Sequence, residues 1–242
     1  MSLSEYFGIT KKRGLTAIVG GGGKTTLMYK LADEISLEGK SVVVSTTTKI
    51  MNPCEKYSVY YDVSKLSDEL SSGKIACLGI PVTGGKLSNP GEETLNIAAS
   101  LCDRILVEAD GAKGLPVKAP ASHEPVIPHW ADTVIAVSGL DAVGKPLSET
   151  CFRSELACGV LGVPLDTVLT PDLLAQLILS ENGQKKGLPK TAFFSVLLNK
   201  ADNQNRILLG IETAKRIRDI MPNTRVVIAS LRDRDTVKAI MY

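Results

Sequence analysis

Aromatic residues make up only 5% of this 242-residue chain, with a single Trp, and histidine occurs only twice, as His123 and His129. So few imidazoles leave little for a transition-metal centre. An excess of one charge is also missing. The 28 basic and 26 acidic side chains leave a formal charge of +2, and no block of five or six like charges occurs. That argues against a mainly electrostatic binder of nucleic acid or membrane surface, which needs a concentrated basic face. The five cysteines (Cys54, Cys77, Cys102, Cys151, Cys158) are odd in number, widely spaced and without a CxxC pair. Neither a disulfide framework nor a zinc knuckle is suggested, and reduced thiols in a cytoplasm fit best. Long apolar runs are lacking. The longest, such as Thr191 to Leu198, are about eight residues against the ~18 of a membrane span, and the opening MSLSEYFGITKKRG has no apolar signal-peptide core. The expectation is a cytoplasmic protein with neither membrane nor nucleic acid as partner.

What is present is a regular alternation. The 44% hydrophobic content is ample for a core, and the absence of repeats or a Gly/Pro-rich linker favours a single domain over 1–242. Near-continuous apolar runs at Leu15 to Val19, Ser41 to Thr46, Ile75 to Leu78, Arg104 to Val107, Thr133 to Val137, Phe193 to Leu198 and Arg225 to Ile228 read as buried strands. Helical patterns occupy Lys24 to Leu37, Asp62 to Leu70, Glu92 to Leu101 and Asn205 to Met221. Strands alternating with helices predict an α/β fold, a three-layer sandwich with a mostly parallel central sheet of the P-loop NTPase kind. Such sheets bind ligands beyond the carboxyl ends of their strands. Two long irregular stretches, 110–131 and 138–170, are therefore expected to be substrate or partner loops.

The first strand runs into Gly20-Gly21-Gly22-Gly23-Lys24-Thr25-Thr26 and then directly into a helix. Glycines permit positive φ and aim successive N–H groups at phosphate oxygens, the helix N-terminus adds its positive end, Lys24 neutralises the outer phosphates, and Thr25 offers a hydroxyl to Mg²⁺. The usual spacing G-x-x-x-x-G-K-[ST] is not met, because Ile18 stands where the first glycine belongs. The loop reads as shortened by up to two residues. The strand Arg104 to Val107 ends in Glu108 and Asp110, either of which can hold Mg²⁺ beside a phosphate loop. Thr47 and Thr48, after the second strand, are candidates to sense a γ-phosphate or Mg²⁺, with Lys49 reaching a substrate anion. High threonine β-propensity explains the same residues as a strand extension.

Asn199-Lys200-Ala201-Asp202 matches N-K-x-D at a strand end. There the Asp accepts the N1–H and N2 amine of guanine, the Lys stem packs over the ring, and the Asn ties this loop to the phosphate loop. Adenine has no donors at those positions and would leave the carboxylate unpaired, so GTP is favoured over ATP. The proline-rich stretch 110–128 places Lys113, Lys118, His123 and Glu124 just past the acidic strand end. These residue types suit an anionic substrate, with His123 a candidate proton carrier. Asp141 and Lys145 are candidates for the same pocket, and Arg153 is a weaker one.

The strings VGGGGKTTL (19–27), STTTKI (45–50), VEADGAKGLPVKAPASHEPVIP (107–128) and GLDAVGKPL (139–147) together resemble the YqeC family of selenium-dependent molybdenum hydroxylase accessory proteins. The resemblance implies a P-loop nucleotide-binding protein acting in maturation or selenium loading of certain molybdenum hydroxylases, with such a hydroxylase or its cofactor as partner. Lys49 stands where many relatives carry histidine. The expectation is a Mg²⁺-dependent nucleoside triphosphatase with Lys24 and Asp110 as catalytic groups. The alternatives are an ATP-dependent kinase or transferase acting on a small anionic substrate, or a nucleotide-dependent adaptor that hydrolyses nothing useful.

Overall fold

The computed structural model describes residues 2–9, 13–53, 56–70, 74–233 and 236–242, so Cys54 lies outside the described residues. In chain order the strands are β1 Gly14–Gly20, β2 Val42–Thr46, β3 Lys49–Met51, β4 Ser58–Tyr60, β5 Ile75–Leu78, β6 Ile80–Val82, β7 Lys86–Ser88, β8 Arg104–Glu108, β9 Val117–Lys118, β10 Thr133–Gly139, β11 Cys151–Phe152, β12 Phe193–Asn199, β13 Arg225–Ala229 and β14 Val237–Met241. The helices are α1 Leu3–Phe7, α2 Lys24–Leu37, α3 Leu66–Leu70, α4 Glu92–Leu101, α5 Leu147–Thr150, α6 Ser154–Leu161, α7 Pro171–Leu179 and α8 Gln204–Ile220.

Nine strands form the central sheet in the order β14-β13-β12-β10-β1-β8-β2-β5-β4, all parallel except β14, which runs antiparallel to β13. Buried strands need apolar side chains on both faces, and period-two geometry sorts them. In β2, Val42 and Val44 face a layer built on Leu27, Leu31 and Ile35 of α2, while Val43 faces a layer containing Leu95 of α4, Leu174 of α7 and Ile217 of α8. The α/β three-layer sandwich expected from the alternation is the observed architecture. Helix starts follow local chemistry: Thr170 caps α7 by accepting from Leu173 N at 3.2 Å with Pro171 in the first turn, and Asn203 caps α8 by accepting from Arg206 N at 3.0 Å.

Several elements depart from the expected pattern. The stretch 138–170, expected to be irregular, carries the end of β10, α5, β11 and α6. A separate ribbon, ordered β3-β7-β6, leaves the carboxyl end of β2 and stands over the phosphate loop's side of the sheet. Strands of three residues are too short for periodicity to show. Among the described residues, no helix is long and apolar enough to cross a membrane.

Candidate functional site

Five neighbouring strands, β12, β10, β1, β8 and β2, deliver their carboxyl ends to one cavity of about 660 Å³. The glycine-rich loop between β1 and α2 lines it with Gly22 to Thr26. Gly22 has φ 74° and Gly23 φ 129°, and a Cβ would lie 2.5 Å from Gly139 N at the first and 2.4 Å from Asn199 Nδ2 at the second. Both positions thus require glycine twice over, for backbone conformation and for close packing. The amides of Gly20, Gly21 and Gly22, expected to face phosphates, are turned inward instead: Gly20 N donates to Asp110 Oδ2 (3.1 Å), Gly21 N to Val137 O (2.8 Å) and Gly22 N to Leu115 O (3.0 Å). The amides of Gly23, Lys24, Thr25 and Thr26 carry no hydrogen bond among the described residues, and they form the N-terminus of the 14-residue α2. Anion-binding capacity therefore sits in the helix's first turn, where orphan N–H groups and the dipole coincide.

Lys24 is buried and folds back over the loop, donating to Gly20 O at 2.7 Å and lying 3.2 Å from Asp110 Oδ1 and 3.7 Å from Glu108 Oε1. Thr25 Oγ1 donates to Glu108 Oε2 at 2.6 Å. Burial pushes the Glu108 carboxyl above the ordinary range, against the pull of Lys24 and the Thr25 hydrogen bond. A hard divalent cation fits this pair, because a hydroxyl and a carboxylate side by side supply the one or two protein oxygens that Mg²⁺ takes in phosphate sites. Asp110 is placed differently: its oxygens face Lys24, Gly20 N and Lys118, so it holds the loop and its lysine. Among the described residues no group of three or more His, Cys, Asp or Glu side chains could hold a metal ion.

At the other side of the loop Asn199 donates from Nδ2 to Gly22 O (2.7 Å) and accepts Leu231 N on Oδ1 (3.1 Å). It pins the glycine-rich loop to the loops after β12 and β13. Lys200, at φ 64°, donates to Asp141 Oδ2 at 2.8 Å, and Asp141 Oδ1 is buried without a hydrogen-bond partner among the described residues. Asp202 accepts Ser230 Oγ (2.7 Å) on one oxygen and Arg206 Nη1 (3.0 Å) on the other. Its side chain is 43% exposed. With about four lone-pair sites on a carboxylate, two remain for incoming donors.

The proline-rich segment divides. Lys113 lines the cavity, exposed and at φ 48°. Lys118 is wholly buried, 2.6 Å from Glu124 Oε2, 3.2 Å from Asp110 Oδ2 and donating to Gly111 O at 2.7 Å. Glu124 also accepts Arg153 Nη1; burial alone would raise its pKa, but Arg153 and Lys118 outweigh it and bring the carboxyl down to about 2. Lys113, Lys118 and Arg153 surround the Phe152 ring at 5.3, 5.8 and 4.5 Å from its centroid. Lys118 and Glu124 thus form an internal ion network beneath the loop and do not line the cavity. Neither do His123, which is exposed, or Lys145. Thr47 Oγ1 donates to Val126 O (2.7 Å), and Thr48 N donates to Thr46 Oγ1 (2.9 Å), so both threonines close the end of β2 and stand outside the cavity lining.

Comparison with known proteins adds the family. A sequence model described as YqeC protein matches residues 16–155. The chain belongs to the YqeC family. It is 32% identical over 190 residues to a protein of Escherichia coli (strain K12) named "Uncharacterized protein YqeC", an alignment covering 76% of this chain and 74% of that relative. Within this chain the family match spans the glycine-rich loop, Glu108, Asp110 and the ion network, whereas Asn199 to Asp202 lie beyond it.

Three cationic residues of the cavity, Lys86, Arg206 and Arg232, lie outside the motifs. Arg206 and Arg232 line it beside Asp202 and Leu231, and Lys86 lines it from the ribbon. Arg206 is detectable as the i,i+4 partner of Asp202 at a helix start. The Thr83-Gly84-Gly85 turn between β6 and β7 is a hairpin signal that would have brought Lys86 into view. The three described non-glycine residues with positive φ, Lys113, Arg153 and Lys200, are all cationic and all lie in the cavity or its supporting network. Backbone strain of about 1–3 kcal/mol at each is typical of functional regions.

Proposed function

We propose that this protein binds a Mg²⁺-nucleoside triphosphate, GTP in preference to ATP, and hydrolyses it as a P-loop NTPase. The observation that carries the reading is Asn199, whose two hydrogen bonds join Gly22 of the phosphate loop to Leu231 beside the N-K-A-D loop. A phosphate end and a base end thereby share one cavity. Its volume lies within the ~300–1,000 Å³ of small-molecule sites.

In this reading the phosphates rest on the amides of Gly23 to Thr26, and Lys24 exchanges its carboxylate neighbours for phosphate oxygens. The lysine then stabilises charge developing on the transferred phosphoryl group. Asp110 holds Gly20 N and Lys24 in position. Thr25 and Glu108 hold Mg²⁺, which when bound offsets β- and γ-phosphate charge. Asp202 accepts the two guanine donors on its free lone pairs, Lys200 covers the ring, and Ser230 and Arg206 fix the carboxylate. Given the family resemblance, the reaction serves maturation or selenium insertion of molybdenum hydroxylases in the cytoplasm, with the hydroxylase or its cofactor as partner.

A second reading is phosphoryl transfer to a small anionic acceptor. It is favoured by the cavity's continuation past Glu108 to further lysines. Calorimetric titration with GTP, ATP and their diphosphates in Mg²⁺ tests the principal reading. Guanine preference should vanish in Asp202→Ala, a loss of about 10–100-fold in GTP affinity for a charged hydrogen-bond pair. Equal binding of ATP and GTP by the wild type would sink the base assignment.

A further inference from the structure

Besides Lys24 and the cations near Asp202, three lysines line the cavity: Lys49, Lys86 and Lys113. In sheet order the base loop after β12 lies two strands from β1, and β2 lies two strands beyond β1 on the other side. Each pair of steps spans ~10 Å. A nucleotide reaching from Asp202 to Lys24 uses the first span and leaves the second open. Of the cations on the base side, Lys200 is paired with Asp141 and Arg206 with Asp202, while Arg232 has no carboxylate within 4.0 Å among the described residues. Among the described residues Lys49, Lys86 and Lys113 have no carboxylate within 4.0 Å.

The ribbon aims two of them. Ile50 and Leu87 are buried, so the alternate positions Lys49 and Lys86 take the opposite, exposed face. Lys49 pairs with Ser88 and Met51 with Lys86, which makes the two lysines diagonal neighbours, ~7–8 Å apart. Lysine on an edge strand is a common guard against strand pairing, and β3 is such an edge. That does not account for Lys86, because β7 is the middle strand of the ribbon. Lys113 lines the same cavity from the loop after β8, its ammonium 5.3 Å from the Phe152 ring centroid, in a left-handed conformation that glycine or asparagine would adopt more readily.

We propose that Lys49, Lys86 and Lys113 form a second anion site that takes a phosphate monoester dianion beside the bound nucleotide. This rests on the nucleotide reading above and supplies its missing substrate class, a phosphorylated small molecule. Three ammonium groups without carboxylate partners match the charge of approximately −2 that such a group carries near pH 7.

The test uses the whole chain. Protein is first titrated with a non-hydrolysable GTP analogue and Mg²⁺, then, saturated, with inorganic phosphate at constant ionic strength. One phosphate per chain should bind, and Lys49→Ala with Lys86→Ala should weaken it at least tenfold while analogue affinity stays within twofold. Absence of phosphate binding to the loaded wild type, or unchanged phosphate affinity in the double variant, overturns the proposal. So does a parallel loss of analogue affinity, which would assign both lysines to the triphosphate. If no nucleotide binds at all, the nucleotide reading fails separately. Phosphate titration of the free protein then decides: a tenfold loss in the double variant upholds the anion site, and no loss removes it.

Discussion

Replacing Lys118 by Met separates two roles for the proline-rich segment. Lys118 has no exposed surface and is flanked by Glu124 at 2.6 Å and Asp110 at 3.2 Å. Methionine fills similar volume without the charge, so the variant leaves two carboxylates facing each other with fewer cations. Removing one member of a buried ion network costs about 3–5 kcal/mol, and the lower figure applies because Arg153 still holds Glu124 and Lys24 still faces Asp110. For a chain of this size ~3 kcal/mol corresponds to a fall in Tm of about 6–12 °C. Adding Glu124→Gln should recover part of that loss, since the second change removes the charge that the first left unpaired.

The acid limb gives an independent sign. The folded carboxyl of Glu124 lies at about 2 against an ordinary 4.5. Its stabilisation is therefore complete above pH 4.5 and lost as pH falls towards 2. In Lys118→Met the folded value moves back up and this loss shrinks. Calorimetric melts across pH 3 to 7 read both effects. A Tm change below 2 °C, combined with loss of an anionic ligand, would refute the network and return Lys118 to substrate binding.

Further consequences concern the loop and its neighbours. Gly22→Ala places a Cβ 2.5 Å from Gly139 N at a positive φ, and GTP affinity should fall at least tenfold by titration. Asn199→Ala removes two buried hydrogen bonds, and both melting and titration should register the loss, about 1–3 kcal/mol in stability. Because burial raises the Glu108 carboxyl above its ordinary 4.5, Mg²⁺-dependent nucleotide affinity should decline on acidification while the pH is still above that value; Glu108→Gln should flatten the profile. Burial pushes the Cys77, Cys102 and Cys151 thiols up to about 12, so native alkylation followed by mass spectrometry should modify the half-buried Cys158 before these three.

The central strands and the helices around the phosphate loop were legible because both faces of the sheet are covered, which makes apolar runs continuous in β1, β2, β8, β10, β12 and β13. The ribbon was not, since Lys49-Ile50-Met51 buries a single side chain and local pattern says little at that length. Glycine, lysine and threonine marked the strand-to-helix loop at 20–26, yet the direction of its amides was hidden. Leu115 O and Val137 O, which take the Gly22 and Gly21 N–H groups, come from distant segments. Lys118 and Glu124 sit in a polar, proline-broken string that reads as a substrate loop. Only the pairing of β9 with β11 beside Phe152 turns their charges inward. Asn199 was the opposite case: its reach to Gly22 crosses 177 positions, and the motif alone anticipated it.

A crystal structure of the full chain with a non-hydrolysable GTP analogue and Mg²⁺ tests the central claim most directly. The account predicts phosphate oxygens on the amides of Gly23 to Thr26, Mg²⁺ on Thr25 and Glu108, and the guanine edge on Asp202. A nucleotide bound elsewhere, or phosphates on the loop with the base turned away from Asp202, would contradict it.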